Sequence, residues 1–183
     1  NSWIDGAGGD DQLDGKIGDD TLLGGDGDDY LFAGPGDDLF DGGPGRDLLV
    51  FADAPGPVRV DLRGLANQAG GYSDRDRILD VEDVVGTDFD DVIRGSDAAN
   101  MFLGYDGADT ISGGPGDDWL EAGDGTDVLS YRDAVAGVRT DLSHWDGPQD
   151  TSEGLDMIIG FEGLSGSRFG DVFQGDIQVN VIN

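Results

Sequence analysis

Aspartate recurs every nine residues over two stretches of this chain, each time just after a run of glycines and two residues before a large apolar side chain. The first stretch carries Asp11, Asp20, Asp29, Asp38 and Asp47, with Leu13, Leu22, Leu31, Phe40 and Leu49 two positions on. The second carries Asp91, Asn100, Asp109, Asp118 and Asp127, followed by Ile93, Phe102, Ile111, Leu120 and Leu129. Carboxylates crowded on tight turns repel one another unless a cation joins them, so the chemistry first implied is binding of a hard divalent metal.

Other chemistries find less support. Cysteine is absent, so neither disulfides nor thiolate zinc sites are available, and the single histidine, His144, leaves no HExxH pair. The segment Asp11-Gln12-Leu13-Asp14-Gly15 begins like an EF-hand loop, but Thr21 or Leu22 stands where the closing Glu belongs. No nucleophile, base and orienting group can be assembled, while the abundance of carboxylates leaves a glycosidase pair open.

The chain of 183 residues suits one domain or one extended array rather than two large catalytic domains. With 36 Asp, 4 Glu, 9 Arg and 1 Lys its formal charge is -30, which argues against nucleic acid or an anionic membrane as partner. Disordered acidic chains draw on Glu, Lys and Ser with few aromatics, whereas this one has 15 aromatic residues and 34 glycines. No apolar run reaches the roughly 18 residues of a membrane span, and no secretory signal is visible. With Asn1 at its start, the chain reads as a piece of a longer polypeptide.

The repeat unit is G-G-x-G-x-D-x-U-x, with U a large apolar residue. Residues 24–32 and 42–50 fit every position, and their neighbours hold the same frame with one or two glycines replaced. The organisation is a first nonad block within 1–50, a spacer 51–85, a second block 86–130, a second spacer 131–165, and a short third block 166–183. The spacers align on each other at an offset of 80 residues, pairing Phe51 with Tyr131, Asp76 with Asp156 and Glu82 with Glu162. Val58, Val60 and Leu62 alternate with polar residues, as in a half-buried strand. Thirty-five residues come close to two coils of eighteen, so the spacers are expected to continue the solenoid.

In each nonad the glycines permit positive φ, so the first six residues turn while the last three form a strand. Two nonads then make one coil, with position-eight side chains pointing inward and coils stacked about 4.8 Å apart. Loops eighteen residues apart lie one above the other, pairing Asp11 with Asp29, Asp29 with Asp47, Asp20 with Asp38, Asp91 with Asp109, Asp109 with Asp127, and Asn100 with Asp118. Two carboxylates and about four carbonyls make the oxygen shell that Ca2+ takes, without the rigid octahedron and retained waters of Mg2+. The Asn100 pair is expected to bind more weakly, and Glu82 falls in the same register, facing Asn100.

Burial of one apolar side chain per nonad barely offsets the ordering of nine residues. At about 1 mM calcium a site with a dissociation constant of about 0.1 mM adds about 1.4 kcal/mol, and about five sites add roughly 7 kcal/mol. Folding is therefore expected to depend on the ion.

These nonads resemble the repeats-in-toxin (RTX), or haemolysin-type calcium-binding, family. The resemblance implies an all-β fold, a right-handed parallel β-roll, with several calcium ions, five or more. It implies ligands from the position-six aspartates and from turn carbonyls such as those of Gly25, Gly27, Gly34, Gly36, Gly43, Gly45, Gly114 and Gly116. It also implies export of the unfolded chain by type I secretion machinery from a bacterium and folding outside the cell. The spacers look like those between nonad blocks of large secreted bacterial proteins. Lys16, Tyr105 and Phe89 depart from Gly, and Ser2, Asn100 and Asn180 from Asp, which weakens those loops as sites.

Among the remaining residues, the position-five aspartates Asp10, Asp19, Asp28, Asp37 and Asp117 are expected to face solvent. Phe89 and Phe169 read as ring plugs against the preceding coil. Asp53 and Asp133 either cap the metal row or serve simple turns, and His144 with Trp145 reads as a surface loop. Trp3, Tyr30 and Trp119 flank core positions, where edge packing competes with an aromatic stripe for sugar stacking. The functional expectation is a non-catalytic, calcium-dependent module of a larger secreted protein. The alternative is an extracellular adhesin segment, or the polysaccharide-binding accessory domain of a secreted enzyme such as an alginate epimerase, with a glycan or cell surface as partner.

Overall fold

Each nonad leaves three residues after its turn, and these tails are the strands of the protein. The computed structural model describes residues 1–64, 75–144, 147–176 and the backbone of 181–182. The first block contains β1 (Trp3–Asp5), β2 (Gln12–Asp14), β3 (Thr21–Leu23), β4 (Tyr30–Phe32), β5 (Leu39–Asp41) and β6 (Leu48–Val50). The first spacer adds β7 (Arg59–Asp61), β8 (Arg77–Leu79) and β9 (Asp83–Val85). The second block holds β10 (Val92–Arg94), β11 (Met101–Gly107), β12 (Thr110–Ser112), β13 (Trp119–Gly125) and β14 (Val128–Ser130). β15 (Arg139–Asp141), β16 (Gln149–Asp150), β17 (Leu155–Ile159) and β18 (Gly163–Ser165) follow, then β19 (Val172–Gln174) and β20 (Val181–Ile182). Among the described residues there is no helix, and the chain forms a parallel β-roll.

Strands two apart in sequence pair in parallel, in register at eighteen residues: Leu13 sits opposite Leu31, and Leu31 opposite Leu49. β1, β3, β5 and β8 make one sheet, while β2, β4, β6, β9, β11, β13 and β17 run continuously through a second, which β16 extends antiparallel. β7, β10, β12, β14, β18 and β20 form a third, and β15 pairs with β19. The middle residue of a strand is generally buried between more exposed neighbours, as period-two alternation requires. Leu31, Phe40, Leu49, Ile93, Phe102, Ile111 and Leu129 are fully sealed and share one core.

The first spacer contributes three strands among the described residues, where two coils would contribute four. β7 joins the sheet of β10, whereas β8 returns to β5 and β9 to β6. Both β7 and β8 lie opposite the long sheet, so among the described residues the strands fail to alternate once. Strands related by 80 residues therefore belong to different sheets: β4 lies in the long sheet and its counterpart β12 in the third.

The rings of Phe89 and Phe169 are not plugs; they are 44% and 54% exposed. At Phe89 the backbone passes under the following coil, its carbonyl lying 2.5 Å from where a Cβ on Gly107 would stand, so the side chain has only the outside to occupy. Trp145 and Asn180 lie outside the described residues.

Because the interior is one side chain wide, neighbouring residues have little room to collapse into a void. Phe40→Ala is expected to cost about 3–5 kcal/mol in saturating calcium, measured by urea unfolding, whereas Val135→Ala at the surface is expected to stay within about 0.5 kcal/mol.

Candidate metal centre

Stacking places the position-six carboxylates in rows, and a regular hydrogen bond fixes each one. The Asp11 N–H donates to Asp29 Oδ1 at 2.8 Å, and the Asp29 N–H to Asp47 Oδ1 at 2.8 Å. The Asp20 N–H reaches Asp38 Oδ1 at 2.7 Å, Asp91 reaches Asp109 at 2.8 Å, Asp109 reaches Asp127 at 2.7 Å, and Asn100 reaches Asp118 at 2.9 Å. The structure thus brings together all six pairs that the eighteen-residue spacing suggests.

This bond occupies only one oxygen of each carboxylate. The Oδ2 atoms of Asp11, Asp20, Asp29, Asp47, Asp109, Asp118 and Asp127 are buried with no hydrogen-bond partner. A buried carboxylate oxygen without a donor costs free energy that a cation recovers. Burial, with help from neighbouring carboxylates, pushes Asp47 up to about 6 and Asp109 and Asp118 up to about 7.

The first glycine of the repeat shows what surrounds the orphan oxygen. A Cβ on Gly24 would collide with Asp29 Oδ2 and stand 2.5 Å from the Gly42 carbonyl oxygen of the next coil. Any side chain here would fill the space in which carboxylate and carbonyl converge. The position-one carbonyl is therefore a candidate metal ligand that motif reading, centred on positions two and four, overlooked. The glycine at position four is needed for a related reason: Gly27 has φ 137°, and its missing Cβ admits the Gly9 carbonyl to 2.5 Å from where that Cβ would stand. The carbonyls of Gly25 and Gly27 press in the same way against Gly43 and Gly45, and Gly34, Gly36, Gly114 and Gly116 pack over the carbonyls of Lys16, Gly18, Ser96 and Ala98.

Among the described residues no three His, Cys, Asp or Glu side chains converge on one point. An ion here must take most of its ligands from the backbone, as the hard-oxygen chemistry of Ca2+ permits. The donor set fits that ion: paired aspartates, orphan oxygens and carbonyls held without steric cover. Bound calcium would supply charge neutralisation, leaving the aspartates to hold the loops in register.

Substituted loops keep the turn. Ala7, Lys16 and Tyr105, at the second glycine position, have φ of 70°, 72° and 75°, a strained region for side chains other than glycine. Asp5 and Asp14 stabilise the first two by accepting the N–H of Ala7 and Lys16, each at 3.0 Å.

At the start of the second block the hydrogen bonding changes. Asp91 Oδ2 accepts the Thr87 N–H at 2.7 Å, and Oδ1 accepts both the Thr87 hydroxyl at 2.9 Å and the Val58 N–H at 2.8 Å. Asp171 meets Ser167 and Val138 in the same pattern. Asn100 donates from Nδ2 to the Glu82 carbonyl at 2.6 Å, so Glu82 meets Asn100 through its main chain. Protein donors do at Asp91 and Asn100 what no protein donor does at Asp29 or Asp109.

Spacer carboxylates join the rows at spacings the nonad frame does not contain. Asp76 accepts from Asp38 N–H at 2.9 Å, Asp156 from Asp118 at 3.1 Å, Glu82 from Asp47 at 3.0 Å and Glu162 from Asp127 at 2.9 Å. Their alignment at an 80-residue offset and, for Glu82, its place in the position-six register were the sequence signals. The position-five aspartates form a second ladder at the surface, running the other way: Asp10 accepts from Asp28 N–H at 3.0 Å, and Asp28 from Arg46 N–H at 2.9 Å. Asp53 and Asp133 are exposed, and Asp133 pairs with Arg63 at 2.9 Å instead of entering a row. Tyr30 and Trp119 share a sheet, separated by Leu48, Asp83 and Met101, while Trp3 lies in another, so the three make no single stripe.

A family model described as the RTX calcium-binding nonapeptide repeat matches the chain in four copies, over residues 1–22, 14–49, 80–111 and 103–132. No curated protein matches the chain.

In chelator, the raised carboxyls determine the pH response. Asp109 and Asp118 titrate near 7 when folded and near 3.9 when unfolded, so the folded chain binds more protons between those values. Metal-free stability is therefore expected to be lost as pH rises through about 7 and to be fully present below about 4. With calcium the order inverts, because the ion needs ionised carboxylates. Circular dichroism between pH 8 and 4.5, with and without chelator, reads both slopes; a chelated chain that loses β structure on acidification contradicts the assignment.

Proposed function

The chain belongs to the RTX calcium-binding nonapeptide-repeat family, whose model matches more than half of it, and from that premise we propose that it is a calcium-dependent structural module of a larger secreted bacterial protein. The repeats bind calcium and form an all-β, parallel roll. The finer reading is that the ions are held at the stacked position-six aspartates and that folding waits for calcium outside the cell. The observation that carries it is the set of buried, partnerless Oδ2 atoms repeated from coil to coil.

Like charges at successive coils oppose winding until a divalent ion sits between them. Free cytosolic calcium is submicromolar, so sites of about 0.1 mM affinity stay empty there and fill at millimolar levels outside. That difference suits passage of an unfolded chain through type I secretion machinery. No helix among the described residues is long and apolar enough to cross a membrane, and the reading assigns no catalytic role to this segment.

A second reading, a glycan- or surface-binding accessory module, has one supporting feature. Trp119, 43% exposed, lies with Met101, Leu155 and Met157 beside Arg46, an apolar face large enough for a sugar ring. Glycan-array binding in millimolar calcium, abolished by Trp119→Ala, would favour it.

Titration from excess chelator into millimolar calcium is expected to convert a disordered circular-dichroism spectrum into a β-rich one. Calorimetry is expected to count about five or more ions per chain. The same β signal in chelator, or fewer than roughly three ions bound, contradicts the proposal.

A further inference from the structure

Each block ends where its last aspartate meets a spacer instead of another nonad. At that junction Asp47 is fully buried and its Oδ2 has no hydrogen-bond partner; the same holds for Asp127 eighty residues on. The next coil in either case presents a glutamate. The Asp47 N–H donates to Glu82 Oε2 at 3.0 Å and the Asp127 N–H to Glu162 Oε2 at 2.9 Å, the bond that aspartates accept within the blocks. The backbone agrees: Glu82 N–H and Asp83 N–H both donate to the Asp47 carbonyl, and Glu162 and Gly163 do so to that of Asp127. Glutamate thus stands in the position-six place of the following coil, although it lies 35 residues away and outside any nonad.

We infer that Glu82 and Glu162 complete a calcium site with Asp47 and Asp127 that closes each block, the orphan Oδ2 being the atom the ion satisfies. The inference rests on the calcium reading above and extends it to residues beyond the repeat motif. Around Asp47 the surroundings match those of an interior site. A Cβ on Gly42 would collide with the Asp80 carbonyl and stand 2.5 Å from Asp47 Oδ2, so carbonyl and carboxylate converge there as they do over Gly24. Asp80 reaches this position with φ 46°, and its counterpart Gly160 with φ 81°, a turn that aims the main chain at the block. The second locus differs in that Ala122 carries a Cβ where Gly42 has none, while Gly160 stands in the place of Asp80. The guanidinium of Arg46 is held by both oxygens of Asp83, at 2.7 and 3.0 Å, which occupies the nearby positive charge.

Such a site would form only when the spacer has docked on the block. Calcium bound there would fasten β9 onto β6 and β18 onto β14, carrying ion-dependent order from a block into the segment that follows.

Glu82→Gln and Glu162→Gln test this, since Gln keeps an oxygen for the Asp47 or Asp127 N–H and loses only the charge. Each substitution is expected to remove one ion from the calorimetric count at saturating calcium, and the pair two, with the β spectrum retained. The midpoint of calcium-induced folding is expected to rise about three- to tenfold. Glu121→Gln, on the exposed side of β13, is expected to change neither. Should the Glu82 variant fail to fold, Glu162→Gln gives the same readout at the second locus. Unchanged counts and midpoints in a chain that binds calcium overturn this inference and leave the interior sites standing, as does failure of both variants to fold at any calcium concentration. A wild-type chain that binds no calcium overturns the parent reading instead.

Discussion

A carboxylate oxygen sealed inside the roll without a donor is the constraint on which the architecture depends. One oxygen of each row aspartate is spent on the N–H of its neighbour, which sets the loops in register. The other faces a gap closed by backbone carbonyls, which accept and cannot donate. Protein atoms alone leave the gap with excess negative charge, and coil stacking then works against itself. A hard cation reverses the sign of that interaction, and the same loops that repel become the ligands that bind.

The glycines follow from this. Where position one is glycine, carboxylate and carbonyl meet where a Cβ would stand; where position four is glycine, the preceding coil's carbonyl presses against it. Where the second glycine is replaced, as at Lys16 and Tyr105, the chain still enters the left-handed region and bears the strain. Apolar burial contributes a single side chain per strand, so it organises the interior but leaves registration of the loops to their oxygens.

The blocks are not uniform along their length. At the opening of the second block, the Thr87 hydroxyl and backbone satisfy Asp91, and Asn100 grips the Glu82 carbonyl, so protein hydrogen bonds meet there the oxygens that elsewhere in the rows have no partner. This opening coil adjoins coils whose row carboxylates keep a buried oxygen without a partner. Together with the surface ladder of position-five aspartates, which runs opposite to the buried one, it gives neighbouring coils several independent means of holding register.

Local spacing made the strands, the inward residues and the stacked aspartate pairs readable, because each depends on a period of nine or eighteen that covalent sequence displays directly. Asp29 and Asp47 are neighbours for no reason beyond the pitch of the coil. What the pitch does not encode had to await the folded chain. Asp76, Asp156, Glu82 and Glu162 enter the rows across spacers whose strands leave one sheet and return to another, so their partners are chosen by docking and not by count. Nothing in the nonad frame marks the Thr87 hydroxyl, and only its distance to Asp91 shows it as a donor. Periodicity reveals contacts that repeat; tertiary packing alone decides those that occur once in each 80 residues, since a non-repeating path through space leaves no regular mark on the order of the residues.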